Sequence, residues 1–139
     1  MADFEMTTDE REAFLADLHV GVLSIQRDGK GPLAVPIWYQ YEDGEVIISM
    51  SGDSVKATLL RRHGRASLTA QNETPPYQYV TVEGPVTVTP HDGSILSMAT
   101  RYLGEEAGRA YAEQNPRTDT SVIARLRPER WLTTDYGKG

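Results

Sequence analysis

The 139-residue chain carries 20 acidic and 14 basic side chains, a formal charge of −6. That balance argues against a nucleic-acid or anionic-membrane partner, either of which calls for a basic field. With no cysteine, disulfides, thiolate metal sites and cysteine nucleophiles are excluded, and the length suits a single domain, 1–139, that buries a core without staples.

The N-terminal MADFEMTTDE is acidic and polar where a signal peptide would be basic and then apolar. No apolar run approaches the length of a membrane span, so a cytoplasmic protein is expected. Thr7 and Glu10 fit a capping box, and Phe14, Leu15 and Leu18 form one stripe, which predicts a short amphipathic helix over 8–18. HVGVLSIQR, 19–27, reads as a strand whose Gly21 lets a backbone or ligand come close. Asp28-Gly29-Lys30-Gly31 turns into a second strand, LAVPIWYQY, 33–41. Pro36 cannot donate to a ladder, so this strand must lie at an edge or be bulged there. Trp38 is either core or a wall for a flat ligand.

Residues 44–68 are the most informative stretch. Val46, Ile48 and Met50 alternate with Ile47, Ser49 and Ser51 as a third strand. Ser51-Gly52-Asp53 breaks the pattern, with Asp53 as the expected cap of a helix that runs through Val55, Leu59 and Leu60 to Gly64. Lys56 would then lie in the first turn, where the helix dipole disfavours a cation by roughly 0.3–1 kcal/mol. Such a lysine either lies solvated along the surface or faces an anion held by the free N–H groups of the helix start. A fourth strand follows at 65–71, then a loop at 72–76. The long fifth strand, YQYVTVEGPVTVT, 77–89, is bent by Gly84-Pro85 as a barrel corner requires. Asp92 is expected to cap a helix over 93–103, a second helical stretch covers 105–114, SVIARL (121–126) is the sixth strand, and RPERW closes the fold.

Six strands, mostly in hairpin order, imply an antiparallel barrel with short flanking helices. Side chains fill so small a barrel, which leaves a large ligand a rim, a cleft or an interface between two copies. The three histidines (His19, His63, His91) fall in no ligand-spacing motif, so no metal site is expected. Paired carboxylates and a Ser-His-Asp order are also missing.

GVLSI, the strand holding Pro36 and Trp38, the Ser49–Arg65 segment with KATLLRRHGR, Val82-Glu83-Gly84 and the closing RPERW occur in an order that resembles the FMN-binding split barrel of the pyridoxamine-phosphate-oxidase-like superfamily. Within it the chain looks most like the flavin/deazaflavin oxidoreductases, the branch that includes enzymes using the deazaflavin coenzyme F420. The resemblance implies a mainly β, six-stranded split barrel and hydride transfer from the reduced coenzyme to a small organic substrate. It also implies a homodimer, for which Trp38, Tyr39, Tyr77 and Tyr79 would offer apolar area. Ser54-Val55-Lys56 matches the family's Ser-Arg-Lys phosphate motif with valine in place of the arginine, and Ala34 stands near the position of a second arginine. A bidentate arginine contact is not replaced by an apolar side chain, which favours F420, whose charge is spread along a glutamate tail, over the alternative, FMN. The implied cofactor-binding residues are Pro36, Ile37, Trp38, Ser49, Met50, Ser51, Ser54, Lys56 and Tyr79, with Arg61 or Arg62 as additional cations. The resemblance implies no particular catalytic residue; the proton would come from water or from a nearby hydroxyl such as Tyr79 or Tyr77. A non-catalytic cofactor-binding protein and, more remotely, a haem-binding barrel are the rival readings.

Overall fold

The computed structural model describes residues 3–91, 93, 95–116, 118 and 120–139. Four helices, α1 (Thr8–Ala16), α2 (Val55–His63), α3 (Leu96–Leu103) and α4 (Glu105–Gln114), surround eight strands. The strands are β1 (Gly21–Ile25), β2 (Leu33–Ile37), β3 (Gln40–Glu42), β4 (Glu45–Ser51), β5 (Arg65–Gln71), β6 (Gln78–Pro90), β7 (Ser121–Leu126) and β8 (Arg130–Asp135). All pairings are antiparallel, in the order β2-β1-β5-β6-β7-β4-β3, with β8 on β6.

Eight strands stand where the sequence predicts six. The expected second strand divides at Trp38-Tyr39, and its halves pair with different neighbours, β2 with β1 and β3 with β4. The two edges of the sheet are therefore one bent segment, which closes the circuit covalently. The eighth strand comes from the tail, where Gln78–Glu83 of β6 pairs with Arg130–Asp135.

The second bend lies in β6, which pairs with β5 as far as Pro85 and with β7 from Val86 onward. Here β7 passes into β8 alongside Gly84, with the Arg127 N–H donating to Pro85 O and the Glu129 N–H to Glu83 O. A Cβ at Gly84 would lie 1.9 Å from Arg127 O, so only glycine admits the crossing strand. At Gly21 the close neighbours are core side chains, Leu68 and Tyr39, and no ligand is needed to explain it.

The alternating strand faces enclose one core. Leu23, Ile25, Tyr39, Val46, Leu68, Val80 and Val82 are at most 1% exposed, each full burial being worth about 1.5–3 kcal/mol. Leu15 of α1 and Ala57 and Leu60 of α2 complete that core. The helix starts differ in detail from expectation. Thr7 and Glu10 form the capping box of α1, but Ser54, one residue beyond Asp53, caps α2 by accepting the Ala57 N–H on its hydroxyl. Asp92 lies outside the described residues, and α3 begins at Leu96 with no side-chain cap. Among the described residues no helix is long and apolar enough to cross a membrane.

Candidate functional site

Trp38 stands in the bend between β2 and β3, and α3 and α4 pack beside it. Its indole stacks on Tyr102 with ring centres 5.0 Å apart and planes 5° from parallel, and Tyr111 of α4 tilts against it at 5.2 Å. Pro36, Ile37, Trp38 and Ser49 meet Ile95, Met98 and Tyr111 around a cleft of about 280 Å³. A second cleft of about 500 Å³ shares Ser49, Ile95 and Tyr111, adds Met50 and Ser51, and extends over Thr118, Thr120 and Ser121 ahead of β7. The fold thus gathers six of the nine expected positions, Pro36, Ile37, Trp38, Ser49, Met50 and Ser51, into two adjoining clefts. Pro36 is tolerated because β2 stands at the end of the strand order, beside β1.

Ser54 and Lys56 lie one step beyond the end of β4 and line neither cleft. The Ser54 hydroxyl is committed to the backbone, donating to Ser51 O at 2.6 Å and capping α2. Lys56 is half-buried at the second helical position. Among the described residues its ammonium has no hydrogen-bond or ion-pair partner, and the first turn of α2 contains no acidic residue. Arg61 donates to Gly52 O at 2.7 Å, keeping its guanidinium beside the β4–α2 turn and near Thr120. Arg62 pairs with Asp28 and points elsewhere. Tyr79 is on the part of the sheet where β6 pairs with β5 and β8, on the outer face of β6 opposite Gln71 and Thr134, and Tyr77 is half exposed ahead of that strand. Tyr39 is fully buried by its own chain; it has no area to offer a partner, and burial holds its phenol well above the usual tyrosine range.

Several residues that line the clefts or stand behind their walls do not stand out in the sequence. Ile95, Met98 and Tyr102 share the helical stripe that marks the buried face of α3, but nothing local says that this face closes over Trp38. His91 carries no motif signal. Its ring Nδ1 lies 3.0 Å from the Ser49 hydroxyl, across β7, and its own N–H donates to Ser121 O. Among the described residues no group of acids and histidines is placed to hold a metal.

Residues 7–135 match the family model for pyridoxamine 5'-phosphate oxidase. The chain belongs to that family. No curated protein matches it by sequence. Among solved structures, the conserved hypothetical protein Rv2991 from Mycobacterium tuberculosis superposes with a TM-score of 0.80 at 23% identity, covering 99% of this chain and 90% of that one. An F420 reductase superposes at 0.67 and 18% identity, covering 91% and 98%. An FAD-binding protein from Mesorhizobium loti superposes at 0.67 and 20%, covering 92% and 94%. At these identities the likeness is one of fold, the split barrel that the family uses to bind flavins.

On that fold, this chain's own donors at the start of α2 are sparse. Val55, 65% exposed, occupies the first helical position where the family motif has an arginine, and Ala34 is exposed on β2. Lys56 and the free N–H groups of the first turn remain. A compact phosphate dianion calls for several fixed donors.

Proposed function

We propose that this member of the family is an oxidoreductase that holds the deazaflavin coenzyme F420 and serves hydride transfer to a small organic substrate. The observation that carries the reading is Lys56: a half-buried ammonium at the open N-terminus of α2 with no anionic partner among the described residues. An anion there would meet the ammonium, the helix dipole and free backbone N–H groups together. The bound coenzyme supplies the hydride chemistry. The chain's residues bind and orient. Trp38 and Pro36 give a flat apolar wall, Ser49 and Ser51 offer hydroxyls, and Lys56 anchors the charged arm, with Arg61 beside the β4–α2 turn as a second cation.

The same reading includes a two-fold homodimer that completes the site. Its support is the outer face of the β2-β1-β5-β6-β8 half of the sheet, where Pro36, Val22, Thr69, Thr81 and Leu132 form one row across five strands. Beside that row a cleft of about 780 Å³ is lined by Leu18, Val20, Val22 and Pro36 among others. Pro36 belongs to this cleft and to the Trp38 cleft, so a partner seated on the outer face would border the coenzyme site.

Absorption spectra of the purified protein, followed by parallel titration with F420 and FMN, test the assignment. The expected result is a colourless protein that binds F420 in the micromolar range or tighter, with affinity falling as salt rises. Two missing charge-assisted contacts, at roughly 1.5–3 kcal/mol each, would weaken FMN by about two to four orders of magnitude. Yellow FMN retained at one per chain, or tighter titration with FMN, would overturn F420 in favour of an FMN-dependent oxidase or reductase.

A further inference from the structure

A hydroxyl in the wall shared by the two clefts is in contact with an imidazole that lines neither of them. Ser49 lines both clefts, and His91 reaches it from the far side of β7, the strand between β4 and β6. The Oγ–Nδ1 separation is 3.0 Å, a full hydrogen bond. The backbone fixes this reach: the His91 N–H donates to Ser121 O at 3.0 Å and extends the β6–β7 ladder by one residue. The pair therefore rests on two strands. Neither expected tyrosine donor, Tyr77 or Tyr79, lines either cleft.

A hydroxyl has one proton, so its direction depends on the ring. When Nδ1 is bare, the Ser49 O–H donates to it and turns away from the cleft. When Nδ1 carries a proton, it donates to Ser49 Oγ, and the serine proton is left to point into the cleft. We propose that Ser49 is the proton donor to the substrate and that His91 is the positioning residue that aims and reloads it, an inference that rests on the hydride-transfer reading above. As hydride reaches the electrophilic carbon of a C=C–C=O or C=N acceptor, the π bond breaks and its electron pair moves to the conjugated oxygen or the imine nitrogen. That atom takes the Ser49 proton. Ser49 Oγ takes the Nδ1 proton of the imidazolium, and the neutral imidazole left behind recovers a proton from water. A bound reduced deazaflavin would supply the two electrons as hydride, so that the acceptor gains one hydride and one proton.

Charged and titratable groups on the elements around the pair include Arg125, Arg61, Tyr111 and Glu45. Arg125 on β7 donates to Thr89 Oγ1, two residues before His91. Arg61 lies at the β4–α2 turn, Tyr111 reaches the cleft from α4, and Glu45 is at the far end of β4. Asp92, next in sequence to His91, lies outside the described residues.

The experiment uses the full chain and three variants, Ser49→Ala, His91→Gln and Ser49→Thr. In cofactor-free protein, ¹⁵N NMR should place the His91 Nδ1 in a hydrogen bond that Ser49→Ala removes and Ser49→Thr keeps. Oxidised F420 should bind wild type and His91→Gln within about three-fold of one another, and the Ser49 variants are compared at saturating coenzyme. Single-turnover oxidation of reduced F420 by cyclohex-2-enone or 1-pyrroline should slow on the order of 100-fold in Ser49→Ala and His91→Gln, and recover in Ser49→Thr. The wild-type rate should fall as rising pH takes the proton from the imidazolium, and His91→Gln should lose that limb. F420 binding and turnover with an unchanged pH limb in His91→Gln would overturn this inference alone, as would an Nδ1 signal indifferent to Ser49→Ala. No F420 binding, or no turnover of either acceptor by wild type, would overturn the hydride-transfer reading and this inference with it.

Discussion

Trp38 and Tyr102 lie face to face, 5.0 Å apart and 5° from parallel, and the Tyr102 hydroxyl continues past the stack into the backbone of the bend. It accepts the Tyr39 N–H at 3.0 Å and lies 2.6 Å from His19 O, to which it donates. One side chain on α3 thus ties together the β2–β3 bend and the segment entering β1. Tyr39 in turn donates its hydroxyl to Leu15 O at 2.6 Å. The flat wall of the cleft is held by a chain of hydrogen bonds that reaches α1.

Tyr102→Phe keeps the stack and removes the hydroxyl. The Tyr39 N–H and His19 carbonyl then lose a partner in a half-buried place, which should cost about 1–3 kcal/mol. Urea unfolding should show a lower midpoint with an unchanged slope, while the near-ultraviolet circular dichroism of the stacked indole persists. An unchanged midpoint would mean that water replaces the hydroxyl and that the tie is not structural.

Lys56→Ala separates binding from folding. A charge-assisted contact at the start of α2 is worth roughly 1.5–3 kcal/mol, so F420 affinity should fall on the order of ten-fold or more. Stability should hold or rise slightly, because a cation at a helix N-terminus is unfavourable by roughly 0.3–1 kcal/mol. Unchanged affinity together with a lower melting temperature would make the lysine structural.

Period-two alternation made β4, β5 and β7 legible, since each has one face in the core. The same alternation hid the break at Trp38-Tyr39. Tyr39 and Tyr41 keep the inward phase of Leu33, Val35 and Ile37, so the bend leaves no mark in the hydrophobic pattern, only in the change of partner from β1 to β4. β8 is not legible in the sequence because RWLTTD has little apolar alternation and is ordered by pairing with β6. At α2 two good caps stood side by side, Asp53 and Ser54, and the choice between them rests on the Ser51 turn. The β-strand side of the clefts, Pro36 to Trp38 and Ser49 to Ser51, was accessible from the family pattern. Its helical wall and His91 were not, since both depend on contacts that span more than forty residues.

Glu10 should make the N-terminal helix sensitive to acid. Hydrogen bonds from the Lys138 ammonium and from Thr7 hold its carboxyl down at about 2, well below the usual 4.5. A depressed carboxyl contributes stability above its unfolded value and loses it as pH falls. The capping box and the tie to the C-terminal turn should therefore weaken between about pH 4.5 and 2. Carbon-13 titration of the Glu10 carboxyl is the check. A midpoint near 4.5, unaffected by Lys138→Ala, would show that neither contact persists in solution.

The homodimer prediction concerns Leu132, 61% exposed at the end of a row that runs Leu132, Thr81, Thr69, Val22, Pro36. Thr81 and Thr69 hydrogen-bond each other at 2.8 Å and project little, so the apolar ends, Leu132 and the 38%-exposed Val22, are what a partner would cover. A two-fold interface on this face would bury more than about 2,000 Å² in total, as obligate dimers do. Two-fold symmetry places every substitution there twice, so Leu132→Glu buries two unpaired carboxylates for one mutation. Light scattering should show a wild-type dimer at micromolar concentration and a monomer for Leu132→Glu, with Thr58→Glu on the exposed face of α2 as a charge-matched control that stays dimeric. Because Pro36 joins this face to the Trp38 cleft, the monomeric variant should also bind F420 more weakly, although Leu132 lines neither coenzyme cleft. A wild-type monomer would sink the assembly, and a monomeric variant with full F420 affinity would show that one chain holds the coenzyme by itself.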